Sequence, residues 1–336
     1  MKKLSFSRSK IGLIACMLFL SVFLAACNSE DSGSTSSGNE AKTTKVKAVM
    51  NWYAQPAHGG LYAALDQGFY KEAGLDATID QGGPQVSPTQ IVASGKAQFG
   101  ISHADELLIA KEEGLPLVAI ATSFQTTQQA FAFHKGQDVK DIPDLNGRTV
   151  YVTPGAGYWE FLKNKYDLSN VTEMAHTGSL VNFIADEQSV AQIYAASEPF
   201  VLEKEGVDID MLYLKDTGYS PYSNLIFTTE KYLKENPEAV KAFVEATIKG
   251  WNYYLENPND VNEYLKEVNP DLDVELMAKE AEAQKEYILE GDGTSKGVGF
   301  MKKENWEAMK KILVDLDLIS DDINVGEVFT TEYLPY

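Results

Sequence analysis

Ten residues, NWYAQPAHGG from Asn51 to Gly60, set an indole, a phenol, two carboxamides and an imidazole side by side. Trp52 and Tyr53 offer flat faces on which an aromatic ring can stack, a contact contributing about 0.5–1.5 kcal/mol beyond its buried area. Asn51, Gln55 and His58 offer donors and acceptors that suit ring nitrogens. Trp52 and Tyr53 are neighbours at a strand end, so at most one of them points into the core. His58 has two roles open to it, ligand contact or cap of the following helix. Gly59 and Gly60 let that helix begin close to whatever is bound.

Similar groups recur downstream. Ser102, His103 and Asp105 follow a third strand-like run, and Thr122, Ser123 and Gln125 follow a fourth. In TPGAGYWE, Gly155 and Gly157 form a glycine-rich helix start with free N–H groups. Tyr158 or Trp159 beside them is expected to complete an aromatic sandwich. GYSPYSN places Tyr219, Tyr222 and Asn224 where the chain turns back, facing a cleft or else merely packing a proline-containing hinge. The four histidines, His58, His103, His134 and His176, lack paired metal-ligand spacing, and SHADE reads as a polar turn before it reads as a zinc site. No metal or cofactor is expected. A phosphate-loop pattern is absent.

The elements that position these groups alternate. From Lys45 the runs KVKAVM, LDATIDQG, AQFGIS and PLVAIATSF read as strands, separated by helical GGLYAALDQGFYKEAG, SPTQIVASGKA and ADELLIAKEEG. Such βαβα order builds a largely parallel sheet with helices on both faces. Ligands of open α/β sheets lie beyond the carboxyl ends of the strands, where these side chains fall. A polar break near His134 precedes a second α/β unit: strand RTVYVT, helix GAGYWEFLKNKYD, strand VTEMAHT, a single helix with its inlet over SVAQIYAASEPFVLEKEG, and strand DMLYLKD. From Asn236 onward the pattern is helical. The second unit is therefore expected to be inserted in the first. One lobe takes residues 44–134 with 224–336 and the other 135–223, with crossings near Ala130–His134 and Asn224–Thr228.

Lys2, Lys3, Arg8 and Lys10 precede an apolar run, Ile11–Ala26, too short for a comfortable bilayer span. It ends in Leu24-Ala25-Ala26-Cys27, which resembles a bacterial lipobox. Residues 1–26 thus read as an export signal and Cys27 as the lipidated mature N-terminus, followed to residue 43 by a Ser- and Gly-rich tether. With Cys16 discarded and Cys27 acylated, the mature domain keeps no cysteine for a disulfide, a nucleophile or a metal. The chain carries 29 basic and 49 acidic residues; without the four basic residues of the signal the formal net charge is −24. That balance repels nucleic acid and anionic headgroups, leaving lipid as the anchor. Arg148 is the sole arginine after the signal, and it precedes a strand rather than ending one. Sulfonate and nitrate readers need positive charge, so a neutral or cationic aromatic heterocycle suits the lining better.

The segments GGLYAALDQGFYKEAGLDATI, IVASGKAQFGIS, IPDLNGRTVYV, LIFTTEKYLKENPEAVKAFVEATIKGWNYYLENP and GVGFMKKENWEAMKKILVDLDLI resemble, in order, solute-binding proteins for nitrate, taurine, alkylsulfonates and thiamine-precursor pyrimidines. The resemblance implies a type II periplasmic-binding-protein fold, α/β in two lobes joined by two crossing strands. It also implies closure on ligand and delivery to the permease and ATPase subunits of an ABC importer. Glu198 lies where pyrimidine binders of that family place an acidic residue. Fungal pyrimidine synthases of the family carry a cysteine-rich, iron-associated segment that this chain lacks, which argues for binding over catalysis. The expected protein is a monomeric lipoprotein on the outer face of the cell membrane that captures an amino-pyrimidine of formylaminopyrimidine or hydroxymethylpyrimidine type. The alternatives are a flavin, an alkylsulfonate, taurine or nitrate as ligand, a pyrimidine-processing enzyme, or an adhesion scaffold.

Overall fold

The computed structural model describes residues Thr43–Tyr336; the expected signal, Cys27 and nearly all of the tether lie outside the described residues. Strands β1 (Thr44–Val49), β2 (Leu75–Asp80), β3 (Phe99–Ser102) and β4 (Leu117–Phe124) belong to one sheet. β5 (Gln129–His134), β6 (Thr149–Val152), β7 (Thr172–Ala175), β8 (Val190–Tyr194) and β9 (Ile209–Tyr213) form a second, and β10 (Ser223–Thr229) returns to the first. The orders are β2-β1-β3-β10-β4 and β7-β6-β8-β5-β9. Both sheets follow one plan, with three parallel strands and then an antiparallel strand that separates them from the last.

Burial explains which strands read plainly as strands. β3 and β4 are covered on both faces, so FGIS and LVAIATSF are near-continuous apolar runs. Edge strand β2 alternates instead, buried at Leu75 and then exposed at every second residue. The segment read as one long helix over Ser189–Gly206 divides: Val190–Tyr194 is β8, buried almost throughout, and the helix starts only at Glu198. VAQIY, buried nearly throughout in the sheet centre, carries no alternation to distinguish it from helix. Ala130–His134 is likewise not a crossing but part of β5, paired with β8 and β9. The first change of sheet falls at Gln125–Gln128, and the return runs through Leu214–Tyr222 ahead of β10.

Helix Pro237–Glu256 covers the first sheet, its Phe243 stacking on Phe99 with ring centroids 3.8 Å apart. It also accounts for Gly59 and Gly60, which open helix Gly59–Asp66. A Cβ on Gly60 would lie 2.1 Å from the Trp251 ring, and one on Gly59 would lie 2.2 Å from Tyr254. The paired glycines therefore serve close helix–helix crossing rather than approach to a ligand. Gly60→Ala should destabilise the fold by about 1–3 kcal/mol through this clash. Urea unfolding checks it, and an unchanged midpoint would contradict the packing role.

Candidate functional site

The carboxyl ends of β1, β3 and β4 and the start of β10 meet at one edge of the first sheet, and their polar groups are wired together. His58 Nε2 donates to Asn51 Oδ1 (2.9 Å), and Asn51 Nδ2 donates to Asn224 Oδ1 (3.1 Å) and approaches His103 Nε2 at 3.5 Å. Asn224 Nδ2 in turn donates to the Ala57 carbonyl (2.9 Å). Asn224 holds a left-handed backbone, φ 46°, which asparagine tolerates better than most residues. Burial pushes the His58 imidazole down to about 4, so the ring is neutral and locks Asn51. It stands at the cap position of helix Gly59–Asp66 without a side-chain cap bond. Gln55 precedes a short turn, Pro56–His58, and its side chain does not cap it.

Beside this network the lobes touch. Tyr219 donates its hydroxyl to Asp105 Oδ2 at 2.5 Å, and both side chains are buried. A Cβ on Gly157 would lie 2.7 Å from that hydroxyl and 3.4 Å from Asp105 Oδ2. Glycine thus lets helix Gly157–Lys165 of the second lobe approach the Asp105–Tyr219 pair. Gly155, at φ 75° and exposed, shapes the turn before it. Burial, with the Glu106 charge, drives the Asp105 carboxyl upward, and its Oδ1 has no partner among the described residues. Ser102 donates to Glu106 (2.5 Å), while the buried hydroxyls of Ser123 and Ser223 have no partner among the described residues.

Trp52 and Tyr53 meet edge to face, centroids 5.6 Å apart, with Tyr53 49% exposed. The Trp52 ring crosses to the second lobe, where a Cβ on Gly178 would lie 3.2 Å from its Cζ2. The aromatic sandwich expected from Tyr158 or Trp159 does not form. Tyr158 accepts from the Thr153 N–H (2.8 Å), Trp159 donates to Glu173 (2.6 Å), and both pack near Phe131 in the core. Helix phase decides this, because an amphipathic helix turns its rings to its own sheet. Tyr222 and Gln125 serve the C-terminal segment: the Tyr222 hydroxyl accepts from Lys302 N–H (3.0 Å), and Gln125 Nε2 donates to the Phe300 carbonyl (3.0 Å).

Glu198 opens helix Glu198–Lys204 and accepts from the Tyr194 N–H (2.9 Å). Burial pushes its carboxyl up to about 7. Glu280, on helix Val274–Ala283 of the first lobe, is pushed up to about 8 by burial and by the Glu198 charge. Glu280 escaped the sequence reading because only packing brings its helix to Glu198. The same two helices are bridged by Lys279–Glu203 (2.9 Å) and by Lys204–Asp273. Among the described residues no cation pairs with Asp105, Glu106, Glu198 or Glu280. Arg148 bonds Gln137, Asp144 and Gln188 at the start of β6, the end of the strand away from Thr153. Two open surface hollows, lined by Lys266 with Asp271–Glu275 and by Pro116 with Glu230 to Glu235, include none of these strand-end groups. No three His, Cys, Asp or Glu side chains among the described residues form a metal-holding group.

Two α/β lobes of one strand plan, joined by two crossings and meeting over their strand ends, define the periplasmic-binding-protein fold. The periplasmic aliphatic sulphonate binding protein SsuA from Escherichia coli superposes with a TM-score of 0.65 at 11% identity, covering 87% of this chain and 94% of SsuA. The chain belongs to the NMT1/THI5 like family, matched over residues 55–261. It is 28% identical to the formylaminopyrimidine-binding protein of Halalkalibacterium halodurans, over 95% of this chain and 98% of that protein. It is also 23% identical to the 4-amino-5-hydroxymethyl-2-methylpyrimidine phosphate synthase of Candida albicans, over 88% and 89% respectively.

The raised carboxyls set a pH dependence. Glu198 and Glu280 keep their protons in the folded state to about 7 and 8, against an ordinary 4.5. The folded state therefore binds more protons than the unfolded one across that interval, and stability falls as pH rises from about 5 to 8. In urea titrations the Glu198→Gln, Glu280→Gln double variant should flatten this slope. A slope equal to that of the wild type would remove the pair from the account.

Proposed function

We propose that this protein is the extracytoplasmic solute-binding component of an ABC importer, tethered through lipid on Cys27, and that it captures an amino-pyrimidine as a monomer without transforming it. The carrying observation is the lack of cations at the strand ends: Asp105 and the neighbouring pair Glu198 and Glu280 have no cationic partner among the described residues. A sulfonate or nitrate would find no cation there to pair with, whereas an exocyclic amino group finds an acceptor in Glu198. Trp52, lying between the lobes, supplies a stacking face. The family and the formylaminopyrimidine-binding relative support the same ligand class. The synthase relative makes catalysis the rival.

Trp159, Trp251 and Trp306 are buried in the core, so Trp52 is the tryptophan placed to report binding. Titration with formylaminopyrimidine or hydroxymethylpyrimidine should quench its fluorescence, and Trp52→Phe should abolish the signal. At 100 times the dissociation constant the ligand should add about 2.7 kcal/mol to unfolding stability. Above about pH 7, where Glu198 is ionised, Glu198→Gln should weaken binding by about 10-fold or more, the loss of a charge-assisted hydrogen bond. Binding of taurine or an alkylsulfonate with no response to pyrimidines or riboflavin overturns the ligand class, and turnover of a bound pyrimidine overturns the transport role.

A further inference from the structure

His176 follows β7, the edge strand of the second sheet, and its backbone N–H donates to the Val152 carbonyl at 2.7 Å. The residue thus stands level with the carboxyl end of β6, next to the Thr153–Gly157 turn and on the cleft side of the lobe. Gly178, at φ 82°, folds the chain back so that its N–H donates to His176 Nδ1 at 3.2 Å. An Nδ1 that accepts a backbone N–H carries no proton, so the neutral ring holds its proton on Nε2. Burial keeps the ring neutral by lowering its basicity. Nε2 is itself buried and has no hydrogen-bond partner among the described residues. The same Gly178 lies against the Trp52 ring from the first lobe. An oriented donor without an acceptor therefore stands one turn away from the stacking face, at the strand ends where this architecture takes its ligands.

We propose that His176 is a specificity-determining residue of the second lobe, its Nε2–H donating one hydrogen bond to an in-plane acceptor, a ring nitrogen or carbonyl oxygen, of a heterocycle held against Trp52. The assignment rests on the proposed function and deepens it. The edge of an amino-heterocycle presents a donor beside an acceptor. Glu198 and Asp105 answer the donor, and the Nε2–H of His176 answers the acceptor, while His58 Nε2 is spent on Asn51. A buried polar group left unpaired penalises a ligand lacking its complement more than a matched contact rewards the right one. His176 would accordingly reject carbocyclic and aza-deleted analogues.

The test pairs protein variants with ligand variants. His176→Asn keeps an acceptor within reach of the Gly178 N–H but loses the distal donor, whereas His176→Gln restores an amide donor near the Nε2 position. Each is titrated calorimetrically with hydroxymethylpyrimidine and with the two pyridine analogues in which one ring nitrogen becomes C–H. The expected result is a loss of about 5- to 150-fold for His176→Asn with the parent pyrimidine. The loss should vanish for the analogue that lacks the contacted nitrogen, His176→Gln should recover most of it, and the melting temperature without ligand should not fall. Wild-type affinity in His176→Asn overturns the assignment, as does an equal loss on all three ligands or a fall in the ligand-free melting temperature that accounts for it. If the wild-type protein binds none of the three, the proposed function fails and this assignment fails with it.

Discussion

Each sheet is completed by a strand that arrives from the other side of a crossing, and the site depends on that exchange. β10 enters the first sheet antiparallel between β3 and β4, through Leu225 opposite Ser102 and Thr122. It carries Asn224 to the position where its carboxamide meets Asn51 and the Ala57 carbonyl. β5 does the same for the second sheet between β8 and β9. Two antiparallel ladders thus hold both crossings at the same edge. The carboxyl ends of the parallel strands consequently face each other across a short hinge, and the polar groups there are set by backbone hydrogen bonds rather than by loop conformation.

Two kinds of polar group follow from that geometry. Asn51, His58, His103 and Asn224 bond to one another and make a floor in which His58 Nδ1 is left without a partner among the described residues. Among the described residues, Asp105 Oδ1, Ser123, Ser223 and His176 Nε2 are buried without partners, and Glu198 and Glu280 lie near each other without a cation. Groups of this second kind cost stability in the ligand-free fold. Natural proteins accept such costs where a site must be complementary to something other than itself.

The contact between lobes is also local and specific. Gly157 admits a helix against Asp105 and Tyr219, Trp52 lies on Gly178, and the helices bearing Glu198 and Glu280 are joined by lysine–carboxylate pairs at their outer ends. Exposed pairs of that kind contribute little individually. The inner carboxyls repel when both ionise, so the joint is balanced rather than tightly clamped.

Several features were legible in the sequence for physical reasons. The alternation of strands and helices, the paired rings at Trp52 and Tyr53, the scarcity of cations at strand ends and the remote place of Arg148 all follow from local pattern and composition. β8 was not legible, because a strand buried on both faces has lost its alternation, nor was β5, because a polar turn beyond it looks like the break itself. Tyr158 and Trp159 misled because helix phase, not residue type, chooses which ring faces the cleft. Gly59 and Gly60 were read as serving the ligand when their neighbours were Trp251 and Tyr254, about 190 residues further on. Glu280 and His176 gave no signal, since a lone carboxyl or imidazole acquires meaning only from what packs beside it. Local pattern thus determined the elements and the chemical character of the cleft. Tertiary packing alone decided which side chains are spent on one another and which are left with an unmade bond.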